Sequence, residues 1–272
     1  VKKRREARLR HADDIIEKPY NLLEVKAVID HGLTRFDEIQ SHTSTGLPGA
    51  NRLPQIERQI QKLSIPWSFV SIDWNGLGSL NRKGERVADE ALRKFGGILT
   101  GVVAGEPIGL RYVGQLGKSD NTFFVCSAGS AVPLAREVES RFQSAIRSVY
   151  TEEELKQGFM EAVVIEQDES GNPKELVKKF PLCSLAMGLN SNYYFDGDLS
   201  FALSDPSKSA RPSTRRRDMP YHWLVRDLSV KARDEAKYLG KKSNQSWLVI
   251  HNQSPLAGLS REQYLEAIKG GT

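Results

Sequence analysis

The chain has 272 residues, 39% of them hydrophobic and 27% charged, with a formal net charge of +5. That length holds one large domain with an extension, or two small domains, and the composition is that of a globular protein with ample apolar material for a core. No run approaches the roughly 18 uncharged apolar residues of a membrane helix, and the basic start VKKRREARLR lacks the apolar segment of a secretory signal, so a cytoplasmic chain outside the membrane is expected.

The first residue is Val1 rather than an initiator Met, which points to a piece of a longer protein. Residues 1–12 read as a basic helix end, and DDIIEKPY (13–20) as a short strand closing at Lys18-Pro19. Leu22, Leu23, Val25, Val28, Ile29 and Leu33 recur near the helical period, followed by a polar loop over 41–51. Leu53, Ile56, Ile60 and Leu63 mark a second helix over 53–64. WSFVSIDWN (67–75) is a buried-strand pattern that ends in a carboxylate, and GERVADEALRKFGGIL (84–99) is helical with Val87, Ala91, Leu92 and Phe95 inward.

EPIGLRYVGQLG (106–117) and TFFVCSAG (122–129) are two strands around the polar tetrapeptide KSDN, a hairpin signal. A helix over 133–150, a strand over 183–189, a helix over 223–242 stopped near Gly240 and a last strand over 246–251 follow. Ser260 with Gln263 fits a capping box for a terminal helix. Two stretches interrupt the order: a charged excursion over 150–179 with a turn at Ser170-Gly171-Asn172, and a Pro/Ser/Arg-rich stretch over 204–220 expected to be a mobile basic loop. The β–α–β–β–α–β order predicts an α+β fold of ferredoxin-like or palm type, with a mainly antiparallel central sheet flanked by helices.

Cys126 and Cys183 sit in apolar strand-like runs, too few and too far apart for a disulfide framework or a zinc site, and read as buried small hydrophobes. His11, His31, His42, His222 and His251 show no metal-ligand spacing, and no P-loop, G-x-S-x-G or C-x-x-C motif is present. The basic clusters Lys2–Arg10, Arg215–Arg217 and Lys237–Lys242 are separate rather than one broad face with interleaved aromatics, so a nucleic-acid partner is not expected. The clusters fit phosphates on a small molecule as well as they fit a polyanion, and composition alone does not choose.

Asp73, Asn81 and Asp89 are the informative set. A carboxylate at the end of a buried strand is costly unless it faces a cation. Mg²⁺ (or Mn²⁺) carried by a nucleotide triphosphate suits Asp73, with the Trp74 carbonyl as an adjacent oxygen ligand. Asn81 offers an amide and Asp89 an acceptor carboxylate, a pair able to hydrogen-bond a guanine edge. Taken singly these are a polar strand end and solvated helix residues.

These residues resemble the GGDEF (diguanylate-cyclase-like) family. STGLPGANR is similar to its entry motif L-T-G-L-P-N-R with two extra residues, SIDWNGLGSLN to D-I-D-x-F-K-x-x-N-D, and GERVADEAL to G-H-x-x-G-D-x-x-L. FPLCSLAMGL resembles P-L-x-x-L-S-I-G, and ARDEAKYLGKKSN resembles A-L-Y-x-A-K-x-x-G-R-N, so the likeness covers residues 40–252. It implies a metal-binding role for Asp73, guanine recognition by Asn81 and Asp89, and triphosphate binding by Lys237 and Lys241. The two lysines, four apart, fall on one helix face.

The departures are specific. Where the family has R-x-G-G-D/E-E-F, this chain has GQLGKSDNTFF, in which only Gly117 and Asp120 echo the signature. By the resemblance Asp120 is the one residue able to supply the missing catalytic carboxylate and third metal ligand; read as a residue alone, it favours a tight turn. Asn75 replaces the second acid of D-x-D, Gly78 replaces the usual Lys, and the inhibitory R-x-x-D pair is absent, so feedback binding of cyclic di-GMP is not expected. Residues 1–39 look like the C-terminal end of a response-regulator receiver domain, with Lys18 as its phosphoryl-contacting lysine, or else a helical linker; 253–272 reads as a C-terminal extension helix.

Three functions remain open at this point. One is a degenerate GGDEF signalling module that binds GTP, or a related guanine nucleotide, without turning it over. The second is an active diguanylate cyclase, joining two GTP molecules across a homodimer with Mg²⁺ held by Asp73 and Asp120. The third is a dimerisation or interaction module that binds no nucleotide. A full-length receiver would add a sensor histidine kinase as partner.

Overall fold

The computed structural model describes residues 44–117, 120–167, 173–217 and 222–252, with the single positions Val25 and Met219. The expectations for 1–39, for the turn at Ser170-Gly171-Asn172 and for 253–272 lie outside these residues, apart from Val25, which is helical.

β1 (Trp67–Asn75) is buried at all nine positions, as its Phe, Val, Ile and Trp content favours. It is a central strand of a six-stranded sheet. β2 (Tyr112–Gln115) and β3 (Thr122–Ser127) form a hairpin, β3 pairs antiparallel with β1, and β1 pairs antiparallel with β6 (Ser184–Ser191). β10 (Trp247–Ile250) runs parallel to β6, and β8 (Ser200–Ala202) closes the edge, giving the order β2-β3-β1-β6-β10-β8. The protein is therefore α+β with a mostly antiparallel central sheet flanked by helices, as the sequence implied.

Because successive strand residues point to opposite faces, β1 divides its side chains between two layers. Val70, Ile72 and Trp74 face α3 (Glu85–Val103) and α4 (Ala131–Arg147). There Trp74, Phe95 and Phe142 meet edge-to-face with ring centroids 4.8–5.7 Å apart. Trp67 and Phe69 face α1 (Leu53–Gln61) and α6 (His222–Ser243), with Phe69 stacked on Phe123 at 4.9 Å. α2 (Leu77–Lys83) follows β1 directly and leads into α3.

α6 lies against the sheet along a seam of small residues, with Ala232 and Ala236 packed on Ala186 and Val249. A Cβ on Gly188 would stand 2.0 Å from the Ser229 carbonyl oxygen, so the helix backbone approaches β6 as closely as glycine permits. The Ser71 hydroxyl donates to that same carbonyl at 2.7 Å and pins the helix to β1. Near the helix end, a Cβ on Gly240 would meet the Asn75 amide at 2.6 Å.

The charged excursion begins with α5 (Glu152–Gln157), started by a capping box in which Thr151 and Glu154 exchange backbone and side-chain bonds. It continues as a hairpin of β4 (Phe159–Gln167) and β5 (Pro173–Pro181), laced by the ion pairs Lys178–Glu166 and Lys179–Glu161. Within the stretch expected as a mobile basic loop, Ala210–Arg216 form a strand instead. β7 (Tyr193–Gly197) pairs with β9 (Ala210–Arg216).

Asp198 accepts from Lys208 and the Ser209 amide, and the Arg136 guanidinium donates to the Leu203, Asp205 and Lys208 carbonyls. Arg217 is buried and donates to Asn190 Oδ1 at 2.8 Å, the Ser191 carbonyl at 3.0 Å and the His251 carbonyl at 2.9 Å. Burial pushes its pKa down to about 10. Composition marked this stretch as loop because its stabilising partners lie on other elements, beyond the reach of local pattern. Cys126 and Cys183 are free and buried, and among the described residues no helix is long and apolar enough to cross a membrane.

Two stability measurements test this packing. Gly188→Ala should destabilise the protein by about 3 kcal/mol or more in urea titration, because the added methyl meets backbone that cannot rotate away. Glu57, 1% exposed on α1, has its carboxyl pKa pushed by burial from 4.5 to about 7, against the pull of Arg226. A carboxyl whose pKa rises on folding contributes fully at pH below the unfolded value, and the contribution is lost as pH climbs through the folded value. Unfolding free energy should fall between pH 4.5 and about 7, and Glu57→Gln should reduce that slope to the part contributed by Glu139, whose carboxyl is also pushed up by burial.

Candidate functional site

Asp73 is the seventh residue of β1 and 3% exposed. A carboxylate this deep needs a counter-charge, and α6 delivers one: Lys237 Nζ lies 2.5 Å from Asp73 Oδ2. The seam of small residues sets this register, since Ser229, Ala232, Ala236 and Gly240 on the inner side of α6 leave Lys237 beside the strand end. Lys237 keeps about a third of its side chain exposed, at 31%, against 4% for Asp73. The other oxygen, Asp73 Oδ1, is buried without a hydrogen bond, a cost of about 1–3 kcal/mol unless a ligand or water satisfies it.

One turn earlier on α6, Arg233 donates to Asn121 Oδ1 at 2.5 Å and also to Asp234. Asn121 belongs to the β2–β3 turn, where its carbonyl accepts from the Leu116 amide at 2.8 Å. The last β1–β3 pair is Ile72↔Thr122, so the residues just past it on the two strands are Asp73 and Asn121. The hairpin turn is thus drawn to α6 one helical turn from the lysine that meets Asp73. Asp120, one residue further into the turn, is half-buried and accepts from Asn121 Nδ2 at 3.3 Å.

Asn75, also on the α6 side, is buried and donates to Ser184 Oγ at 3.4 Å. Trp74 turns its indole into the α3–α4 layer. Its backbone points the other way from that of β6: the Trp67 carbonyl accepts from Asn192 on the β6 side, and carbonyl direction alternates along an antiparallel strand. The Trp74 carbonyl therefore points toward β3, past the end of the β1–β3 ladder.

Asn81 on α2 and Asp89 on α3 are exposed, and their side chains form no hydrogen bond or ion pair among the described residues. They flank the corner between the two helices that follow Asp73. Lys241 is exposed on the last turn of α6, one turn beyond Lys237. The structure thus brings Asp73 and Lys237 into contact, places Asp120 and Asn121 at the adjoining turn, and leaves Asn81, Asp89 and Lys241 as outward-facing groups. A separate cleft of about 520 Å³ opens between α3 and α4, lined by Trp74, Lys83, Glu90, Lys94 and Phe142 among others.

Arg233 and Asn121 are site residues that sequence reasoning passed over. The signal for Arg233 was present, because Arg233, Lys237 and Lys241 recur every four residues on α6. Asn121 carried no such signal; only the fold brings it to Arg233.

The cation that meets Asp73 is an ammonium. Among the described residues no group of three or more His, Cys, Asp or Glu could hold a metal ion. Near Asp73 the neutral Asn75 stands where an acid was expected, and Asn121 Oδ1 is already taken by Arg233. A hard divalent cation takes about six oxygen ligands. Beyond Asp73 Oδ1 and the Trp74 carbonyl, the described residues here add only the half-buried Asp120 of the adjoining turn, too few for a cation held by the protein alone.

The ion pair has a measurable asymmetry. Lys237→Met should cost about 3 kcal/mol at neutral pH, because it strands a buried carboxylate. Asp73→Asn should cost less, since the partly exposed Lys237 side chain can turn to water, and the double variant should recover stability relative to Lys237→Met in a double-mutant cycle.

No family model matches this sequence, and no curated protein matches it. Solved structures are similar at low identity. The GGDEF domain of TpbB (YfiN) from Pseudomonas aeruginosa matches at 14% identity with a TM-score of 0.41, over 78% of this chain and 94% of that one. A sensory box/GGDEF family protein from Caulobacter crescentus matches at 15% identity and TM-score 0.38, over 75% and 99%. The S helix-GGDEF-EAL region of LapD from Vibrio cholerae, bound to c-di-GMP, matches at 10% identity and TM-score 0.46, over 90% and 45%.

Proposed function

We propose that this chain is a degenerate member of the GGDEF (diguanylate-cyclase-like) family that binds GTP, or a related guanine nucleotide, as a regulatory module in cyclic di-GMP signalling. The observation that carries the reading is the buried Asp73 at the end of the central strand, bridged to Lys237 of α6 beside the β2–β3 turn. The order of sequence motifs along 40–252 supports the same reading. In it, Lys237 and Lys241 bind phosphates while Asn81 and Asp89, unengaged and exposed at the α2–α3 corner, read the guanine edge.

Binding without turnover is favoured by the side chains of the β2–β3 turn. Joining two nucleotides requires a group to take the proton of an attacking 3′-hydroxyl. The Asn121 amide cannot do so, and its oxygen is committed to Arg233. That leaves, among the described residues of this turn, only the half-buried Asp120 carboxylate, already accepting from Asn121 Nδ2. The receiver-like sequence of residues 1–39 supports placing the module in a response regulator, where a histidine kinase would be the upstream partner.

Calorimetry with GTP and ATP tests the reading. GTP should bind and ATP should bind more weakly, and Asp89→Ala should lower GTP affinity by about tenfold, or 1.4 kcal/mol, with an unchanged thermal melt. Absence of GTP binding would overturn the proposal. Formation of cyclic di-GMP on incubation with GTP and Mg²⁺, lost in Asp73→Ala, would overturn the binding-only part.

A further inference from the structure

The mismatch between Asp73 and a divalent cation has a positive counterpart. An ammonium carries three N–H donors, and Lys237 directs one at Asp73 Oδ2. With its head partly exposed, the remaining donors are available to oxygen atoms of a ligand. Lys237 can thus join the Asp73 carboxylate to an anionic ligand. Arg233 and Lys241, one turn to either side on α6, extend the positive charge along the same helix face.

We infer that the site binds the triphosphate of its nucleotide without a divalent cation, the Lys237 ammonium linking the Asp73 carboxylate to the phosphates. The inference rests on the nucleotide-binding reading above and adds what neutralises the phosphates. A divalent cation on Asp73 Oδ1 would stand against the ammonium on Oδ2 and the Arg233 guanidinium on Asn121, like charge on like charge. Asn75 is neutral and adds no carboxylate on β1 to offset this repulsion; its amide packs under Gly240 and reaches Ser184. On β1 itself one anionic group, Asp73, meets one ammonium, Lys237.

Titration calorimetry of the wild-type chain with GTP, once in excess EDTA and once in Mg²⁺, decides the matter. The two affinities should agree within about tenfold, equivalent to 1.4 kcal/mol. Binding in Mg²⁺ that falls by more than about tenfold when EDTA removes the cation would overturn the inference while leaving the nucleotide reading in place. Binding in neither buffer would overturn both. In EDTA, Lys237→Met should lose binding by more than tenfold while Lys237→Arg, which keeps the charge, retains most of it; full binding by Lys237→Met would overturn the role given to Lys237. Thermal melts of both variants establish that they fold.

Discussion

The close docking of α6 on the sheet is the constraint from which the site follows. Gly188 removes the side chain that would hold the helix away, and Ser71 ties the Ser229 carbonyl to β1. At that separation Ala232, Ala236 and Gly240 fill the seam, and the helix has no freedom to rotate without driving a larger residue into strand backbone. Lys237 is thereby held at the one place where a buried carboxylate requires a cation. The ion pair does not create the packing; the packing imposes it, and Asp73 can be 3% exposed only because of it.

Strand β1 separates structure from ligand chemistry by alternation. Its even-numbered side chains, ending in Trp74, build an aromatic cluster with Phe95 and Phe142 that anchors α3 and α4. Its odd-numbered side chains end in the polar series Ser71, Asp73 and Asn75 beneath α6, all buried. The aromatic cluster fixes the strand end rigidly, so the position of Asp73 is set by contacts on the opposite face. The β2–β3 turn is tied in turn to α6 through Asn121 and Arg233, which makes one helix responsible for both halves of the site.

Much of the fold was legible in sequence because it rests on short-range periodicity. The nine-residue apolar run of β1, the helical spacing of Ala91, Leu92 and Phe95, and the long helix ending near Gly240 each announce their element locally. The stretch at 204–220 failed for the opposite reason. Its Pro, Ser and Arg content marks a loop, yet β7 supplies a pairing partner and Asn190, Ser191 and His251 supply acceptors for Arg217. A polar sequence folds into a strand when remote elements satisfy its groups, and no window of neighbouring residues records that.

The sequence by itself determined that a carboxylate ends a buried strand, that a run of basic residues lines one helix, and that the hairpin beside them lacks the acidic signature. Each of these is a property of residues adjacent in the chain. Only the tertiary structure decided that Lys237, 164 residues away, is the cation that meets Asp73. It also decided that Asn121 is the hairpin residue drawn to α6 one helical turn from that lysine. Both outcomes depend on strand register and on how near a helix can lie to a sheet, quantities set by atomic contact between distant segments.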